Sequence, residues 1–278
     1  MDERSKSRAQ WSAAADAWTR LADDFEKING VSTRLLLDAA RLGPDLKGLD
    51  LASGPGDPAL SIAQIVGPKG RVTATDQSEE MVAGAMGRAS RRGIKNFDAK
   101  VADAESLPFP DDSFDRVTSR FGAMLFVDPV KGLSEARRVL KLGGRAAILV
   151  WGPRERNMMF TLVPRELGKI IELPPPDPEA PSAVRLGPAG ALVSVLQKAA
   201  FRDIEETRKA IPLNWGRGAA DAWGMMKRLM ASLPPVLAGL PEDKRRRFNE
   251  AMIAALEGFT ENGEVVLPAE VVCATGEK

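Results

Sequence analysis

Residues 49–57 read Leu49-Asp50-Leu51-Ala52-Ser53-Gly54-Pro55-Gly56-Asp57, an apolar run that stops abruptly at serine, glycine and proline. The apolar half predicts a short strand over 48–52, and the small residues after it predict a tight turn. Asp57 then supplies a helix N-cap and Pro58 a proline at the first helical position. Gly54, Gly56 and Ala59 fit the loose spacing G-x-G-x-x-A, with Asp76 following some 20 residues after Gly56. Glycines in such a turn let the backbone approach a ligand, and a downstream carboxylate accepts hydrogen bonds from ribose hydroxyls. Taken alone, the same residues also make an ordinary strand-to-helix turn.

Outward from this turn the texture alternates. A strand is predicted from Arg71, ending in Asp76, followed by a helix capped by Ser78 and closed by Gly93. Strands follow near 97–102 and 114–119. Asp128-Pro129 opens another helix, Gly143-Gly144 is expected to stop it, and a strand at 145–151 completes the run. Strands alternating with helices imply a doubly wound α/β fold with a mostly parallel sheet. Right-handed crossovers put every strand's carboxyl end on one edge, where ligands of open sheets bind. Asp50, Asp76, Asp103 and Ser119 all fall at such ends.

Residues 7–42 read as two helices, with Trp11, Trp18 and Phe25 on one face. Beyond Trp151 the pattern loosens. Glu172-Leu173-Pro174-Pro175-Pro176-Asp177-Pro178 reads as a stiff surface loop. Helices are expected at 189–200, 217–232 and 241–259, with strands at 204–211 and 264–274. The expected organisation is a helical cap at 1–43, a cofactor-binding core at 44–152, a lid insertion at 153–187, and the remainder of the sheet with substrate-side helices at 188–278.

Charge chooses among ligands. Asp50 and Asp57 beside a pyrophosphate would oppose that anion, whereas they suit a ligand carrying an ammonium and a sulfonium. This favours S-adenosylmethionine over NAD. Across the chain, 39 Lys and Arg balance 38 Asp and Glu, so no basic excess marks a nucleic-acid partner. The clusters Arg91-Arg92 and Lys244-Arg245-Arg246-Arg247 are read as solvated ends of helices. Histidine and tyrosine are absent and Cys273 is the single cysteine. A histidine metal site, a Ser-His-Asp triad and a histidine base are therefore excluded, and no metal is expected. The run 146–151 is too short to span a bilayer, and residues 1–6 lack an apolar signal core. The expectation is a cytoplasmic protein, monomer or homodimer.

Four ordered segments carry a more specific signal. They are Leu49 to Asp57; Asp76-Gln77-Ser78-Glu79-Glu80-Met81; Asp103-Ala104-Glu105-Ser106-Leu107-Pro108-Phe109 with Phe114-Asp115; and Arg137-Arg138-Val139-Leu140-Lys141-Leu142-Gly143-Gly144-Arg145. Together they resemble class I S-adenosylmethionine-dependent methyltransferases, in particular the small-molecule subgroup around the quinone-biosynthesis C-methyltransferases. Ala52 stands where many members have glycine, and Leu142 where proline is common. The extended N-terminal signature of the quinone enzymes is not found, so their substrate is not carried over.

The resemblance implies a Rossmann-like fold and S-adenosyl-L-methionine as cofactor. By it Asp50, Ala52 and Gly54 approach the methionine moiety and Gly56 packs near the nucleoside. Asp76 binds the ribose, Gln77 and Met81 line the adenine, and Asp103 with Ala104 meets the adenine amino group. Ser119, Arg120 and Phe121 lie near the transferring methyl.

Methyl transfer from a sulfonium is an in-line displacement that needs chiefly alignment and exclusion of water. No obligatory protein base is expected; Glu155 reads as a solvated charge, Asp128 as a cap and Cys273 as packing. The acceptor is expected to be small and largely apolar. Trp215, Trp223, Met225, Met226 and Met230 read either as pocket lining or, preferably, as a helical core stripe. Met158-Met159-Phe160 is a candidate lid, and Trp11 and Trp18 are candidates to close over the pocket. An NAD-dependent oxidoreductase and a non-catalytic cofactor-binding module are the rival readings.

Overall fold

Strand β1 (Lys47–Leu51) is the hinge of the architecture because it has a parallel partner on each side. β2 (Arg71–Asp76) and then β3 (Phe97–Val101) lie to one side, and β4 (Phe114–Arg120) and β5 (Leu140–Trp151) lie to the other. In this computed structural model, which describes residues 2–175, 177 and 180–278, the sheet order is β3-β2-β1-β4-β5-β8-β6. β6 (Arg202–Arg217) and β8 (Glu264–Glu277) are antiparallel to their neighbours, and the two-residue β7 (Thr260–Glu261) pairs with β8. The strand order reverses between β1 and β4, so the loops after these two strands face one another. That is where an open α/β sheet forms its ligand crevice.

Alternation along β1 shows how both faces are covered. Leu49 and Leu51 join the core that also holds Leu36 and Ala40, at the end of helix α3 (Gly30–Ala39). Gly48 points the other way, onto Ile62 of helix α4 (Ala59–Val66), which shares a second core with Val72 and Ala74. Helix α5 (Glu79–Arg91) covers β2 and β3, and α6 (Pro129–Val139) covers β5. Both follow their caps: Ser78 accepts from Met81 N, and Asp128 from Lys131 N.

The N-terminal segment forms three helices rather than two: α1 (Glu3–Arg20), α2 (Ala22–Ile28) and α3. Asp2 caps α1 through Ser5 N at 2.8 Å, which starts the helix before residue 7. Gly143-Gly144 do not end α6. Leu140 is already extended and buried, so the helix stops at Val139, and the glycines instead sit at a register shift in β5. Helix α7 (Met158–Gly168), with Pro164 inside it, occupies part of the expected lid insertion. Its Leu162, Val163 and Leu167 are core residues. Pro176 and Pro178 of the expected stiff loop lie outside the described residues.

Helix α8 (Ala191–Lys198) follows as expected. The expected helix at 217–232 divides into α9 (Ala219–Leu229) and α10 (Leu233–Ala238). In α11 (Glu242–Glu257) the basic cluster occupies the first turns, not the end, so its cations do not complement the dipole there. Arg92 is not merely solvated either: it pairs with Asp23 and Glu26 of α2. Among the described residues, no helix is long and apolar enough to cross a membrane. Cys273 is buried in the core, where burial pushes its thiol up to about 12.

The stripe on α9 is core. Trp223 and Met226 are buried, and the indole meets Phe248 edge-on at 5.5 Å and donates to Asn249 at 2.8 Å. Trp223→Ala is expected to cost about 3–5 kcal/mol of stability, measured by urea denaturation, while cofactor affinity stays unchanged.

Candidate functional site

The turn after β1 folds back because three of its residues take left-handed backbone angles: Ala52 at φ 49°, Gly54 at 54° and Gly56 at 98°. It is then pinned from outside. Ser53 N donates to Thr75 O at 2.9 Å, and Gly54 N donates to the Asp76 carboxylate at 2.9 Å. Arg88, buried on α5, donates to Pro55 O at 2.9 Å. Gly56 allows close approach of α5, since a Cβ there would lie 3.1 Å from Ala85 Cβ. It serves helix packing and does not line the cleft.

This turn forms one wall of a cleft with about 1030 Å³ of space outside protein atoms, part of it open solvent. Ala52, Gly54, Asp76, Gln77 and Met81 line it, as do Asp103, Ala104, Arg120 and Phe121. Asp50, Gly56 and Ser119 stand behind the wall. Ser119 Oγ donates to Leu51 O at 3.1 Å, which ties β4 to β1. Met158, Met159, Phe160, Trp215 and Trp223 are not cleft residues, so the candidate lid and the alternative pocket stripe do not form the cleft wall.

One half of the cleft is polar. Asp76 accepts from Gly54 N and from Ser78 N at 3.0 Å, one bond on each oxygen, which leaves lone pairs for a further donor. Burial raises its pKa, and these backbone donors oppose the shift. Asp103 accepts from Glu105 N at 2.9 Å and lies 3.6 Å from Arg4 Nε. Arg4 also binds Glu105, and Ser7 accepts from Gln77 Nε2 at 3.0 Å. Thus α1 is fastened onto the polar half.

The other half is aromatic. Trp18 meets Trp11 at 5.5 Å and Phe25 at 4.8 Å, both edge-on, and donates its indole N–H to Leu229 O. Phe121 faces this half at φ 60°, stacked on Trp151 at 3.9 Å. Leu125 and Phe126 line the cleft as well. The expectation that Trp11 and Trp18 reach over the pocket agrees with this geometry. Sequence reasoning missed Arg4, Ser7 and Phe25 as cleft residues. For Arg4 and Ser7 the signal was their i, i+3, i+7 spacing with Trp11 on one face of α1.

Two expectations about charge need correction. Asp57 does not cap α4, whose N-cap is Pro58 without a side-chain bond. Its carboxylate lies 2.5 Å from Arg120 Nη1, with the two side chains 6% and 3% exposed. Asp50 is fully buried and bonded to Thr118 Oγ1, and burial pushes its pKa up to about 7. The loop therefore does not present two free carboxylates to a ligand. No group of three or more metal-ligating side chains stands together among the described residues.

A carboxyl whose folded pKa exceeds its unfolded value holds an extra proton in the native state. Stability then falls as pH rises from about 4 through about 7. Thermal unfolding across that window should show wild type losing stability relative to Asp50→Asn as pH rises, by roughly 2–4 °C for each kcal/mol. Ala52 and Gly122 compete for one space: a Cβ on Gly122 would sit 2.6 Å from Ala52 Cβ. Gly122→Ala should destabilise by about 1–3 kcal/mol. Adding Ala52→Gly should return part of that loss, as a coupling of about 0.5 kcal/mol or more in a urea double-mutant cycle.

Comparison with known proteins agrees with this fold. Residues 33–161 match the ubiE/COQ5 methyltransferase family. A ubiquinone/menaquinone biosynthesis C-methyltransferase of Cupriavidus metallidurans is 32% identical over 189 residues, covering 64% of this chain and 77% of the relative. One of Geobacter sulfurreducens is 46% identical over 112 residues, covering 39% of this chain; the chain spans only 43% of that relative's length. Among solved structures, the YcgJ protein of Bacillus subtilis superposes with TM-score 0.61 at 22% identity, over 90% of this chain and 98% of that one. The [4+2]-cyclase SpnF gives TM-score 0.56 at 17% identity, over 95% and 94%. The structural likenesses show the fold, and the sequence relatives show the family. The chain belongs to the ubiE/COQ5 family of S-adenosylmethionine-dependent methyltransferases.

Proposed function

We propose that this chain transfers the methyl group of S-adenosylmethionine to a small, largely apolar organic acceptor held in the aromatic half of the cleft. The carrying observation is the division of one cleft into a polar half at the ends of β1, β2 and β3 and an aromatic half beside Phe121 and Trp18.

The polar half fits the cofactor. A Cβ on Gly54 would meet nothing closer than Met81 Sδ at 3.9 Å, so the turn's backbone is open to a close ligand. Asp76 keeps acceptor capacity that suits ribose hydroxyls, and Asp103 with Ala104, which line the same half, are assigned to the adenine edge by the family resemblance. When bound, the cofactor supplies an electrophilic methyl on a sulfonium. The protein's part is then to align the acceptor and keep water out. Trp11, Trp18, Phe25 and Phe126 supply the apolar walls that exclude water.

The cleft's carboxylates support a mechanism with no obligatory base. Asp57 is paired with Arg120, Glu105 with Arg4 and Asp128 N, and Asp76 with backbone N–H groups. Among the described residues, none of these carboxylates stands free beside the aromatic half, and neither histidine nor tyrosine exists in the chain. Proton loss then falls to the acceptor's own acidity or to water. A nitrogen, oxygen, carbon or sulfur nucleophile is compatible with these walls, and an acceptor panel should include each.

Thermal unfolding with S-adenosylmethionine, S-adenosylhomocysteine and NAD in parallel tests the cofactor. Ligand at ~100 times its dissociation constant should add about 2.7 kcal/mol. A rise with both sulfur nucleosides and none with NAD is expected, followed by transfer of labelled methyl to an apolar member of the panel. A shift with NAD alone would overturn the reading. A cleft carboxylate whose removal abolishes turnover, with cofactor and acceptor affinities kept, would overturn the base-free mechanism.

A further inference from the structure

We infer that the free edge of β6 is the contact through which two copies of this chain pair, antiparallel and centred on Thr207, into one continuous sheet. β6 ends the sheet: β8 lies on one side of it, and among the described residues no strand lies on the other. No loop backbone bonds to it between Ile204 and Ala210 either. An edge of unpaired N–H and C=O groups is a template for a further strand.

The usable edge is short and bounded. At one end the ladder with β8 shifts register between Arg202 and Glu205, and Asp203 takes φ 49°, so regular pairing begins after it. At the other end Pro212 has no N–H to give. Between them runs Glu205-Glu206-Thr207-Arg208-Lys209, whose charges are opposite in sign on the two sides of Thr207. A two-fold axis through Thr207 sets Glu205 against Lys209 of the second copy, Glu206 against Arg208, and Thr207 against itself, and each charge contact then occurs twice. Centring the axis one residue either way would oppose Glu206 to Glu206 or Arg208 to Arg208, so charge selects one register.

The outward face carries the free charges. Glu205, Thr207 and Lys209 share it by alternation, and all three are exposed. Among the described residues Lys209 has no ion pair, whereas Glu205, 65% exposed, accepts from Arg145 at 2.7 Å through one oxygen. On the other face Arg208 is already bonded to Glu206 and to Glu270, both at 3.0 Å. A guard against edge pairing works by setting like charges against one another; this order sets opposite charges together and places a Thr–Thr pair between them. Because the joined strands run antiparallel, the clefts of the two copies open at opposite edges of the shared sheet.

Analytical ultracentrifugation from about 1 to about 200 μM, a range suited to so short an interface, should show a monomer–dimer equilibrium that weakens with added salt. Lys209→Glu and Glu205→Lys each set like charges at both outer pairs and should weaken dimerisation at least about tenfold. Mixed in equal amounts, the two variants restore opposite charges at both pairs, so a heterodimer should form where neither variant pairs alone. In a mixture of isotopically light and heavy wild-type chains, a zero-length carbodiimide should couple Glu205 of one copy to Lys209 of another. Within one strand these residues lie about 13 Å apart, beyond its reach. Glu205→Lys also removes a bond to Arg145, so urea unfolding accompanies it; if that variant does not fold, Lys209→Glu and the crosslink decide. A monomer at every concentration, a dimer that survives Lys209→Glu, a dimer without that crosslink, or two folded variants that do not pair on mixing overturns the proposal.

Discussion

The Asp76 carboxylate is the fixed point of this site. It closes β2, and its two oxygens accept from Gly54 in the turn after β1 and from Ser78 at the start of α5. Three segments that the sheet merely brings near one another are thereby locked into one surface. Ser78 then caps α5 through Met81, and α5 returns a second constraint through Arg88, which donates to Pro55 O in the same turn. The turn has little internal bonding of its own beyond Gly56 N to Ser53 O. Its left-handed residues persist because strand ends on both sides over-determine them. That arrangement preorganises backbone for a ligand without requiring glycine at every position, which is how Ala52 is accommodated at φ 49°.

The N-terminal helices are joined to this surface by charge as well as by packing of Trp18, Leu21 and Phe25 against the core. Arg88 pairs with Asp23 and Glu26, Arg92 repeats both contacts, and Arg4 binds Glu105 beside Asp103. Arg88 is almost fully buried and has the strongest geometry of these, with donors satisfied from α2 and the turn together. Partly exposed pairs such as Arg92 with Asp23 contribute little individually; their role is placement. The result is that α1 and α2 roof the cleft at fixed points while their aromatic side chains supply its apolar half. Both halves of the cleft are thus covered by one helix face, polar at Arg4 and Ser7 and aromatic at Trp11 and Trp18.

Much of the core was legible because its punctuation is chemical. Ser78 and Asp128-Pro129 mark helix starts, Gly93 a helix end, and Asp76 and Asp103 the ends of strands two and three. Where reading failed, tertiary context had overridden a local signal. The expected lid insertion carried no helix expectation, yet α7 forms there around Pro164 because Leu162, Val163 and Leu167 are buried. Gly143-Gly144 look like a helix stop, but Leu140 is drawn into the core and becomes strand three residues earlier. Asp57-Pro58 look like a cap and first turn, but Arg120 lies within reach and takes the carboxylate. That last partner is 63 residues away in sequence, and no local pattern announces it. The cleft-facing role of α1 was half visible, because aromatic spacing marks a face without saying what that face covers.

A shared fold does not carry the reaction. A [4+2]-cyclase shares this fold at TM-score 0.56, and a fold by itself does not fix the chemistry performed on it. What separates such proteins must lie in side chains at the crevice. In this chain the relevant ones sort by what they leave unsatisfied. Among the described residues that line the aromatic half, none is a free acid or base, which suits an electrophile brought in by a cofactor. The polar half has Asp76 with acceptor capacity remaining and, deeper, the buried ion pair of Asp57 and Arg120. Unmet hydrogen-bonding capacity in a buried place is a specification of the absent partner's donors and acceptors. Read that way, Asp76 calls for hydrogen-bond donors in the polar half, and the other half offers only apolar walls. The sheet supplies only the place where those demands can meet.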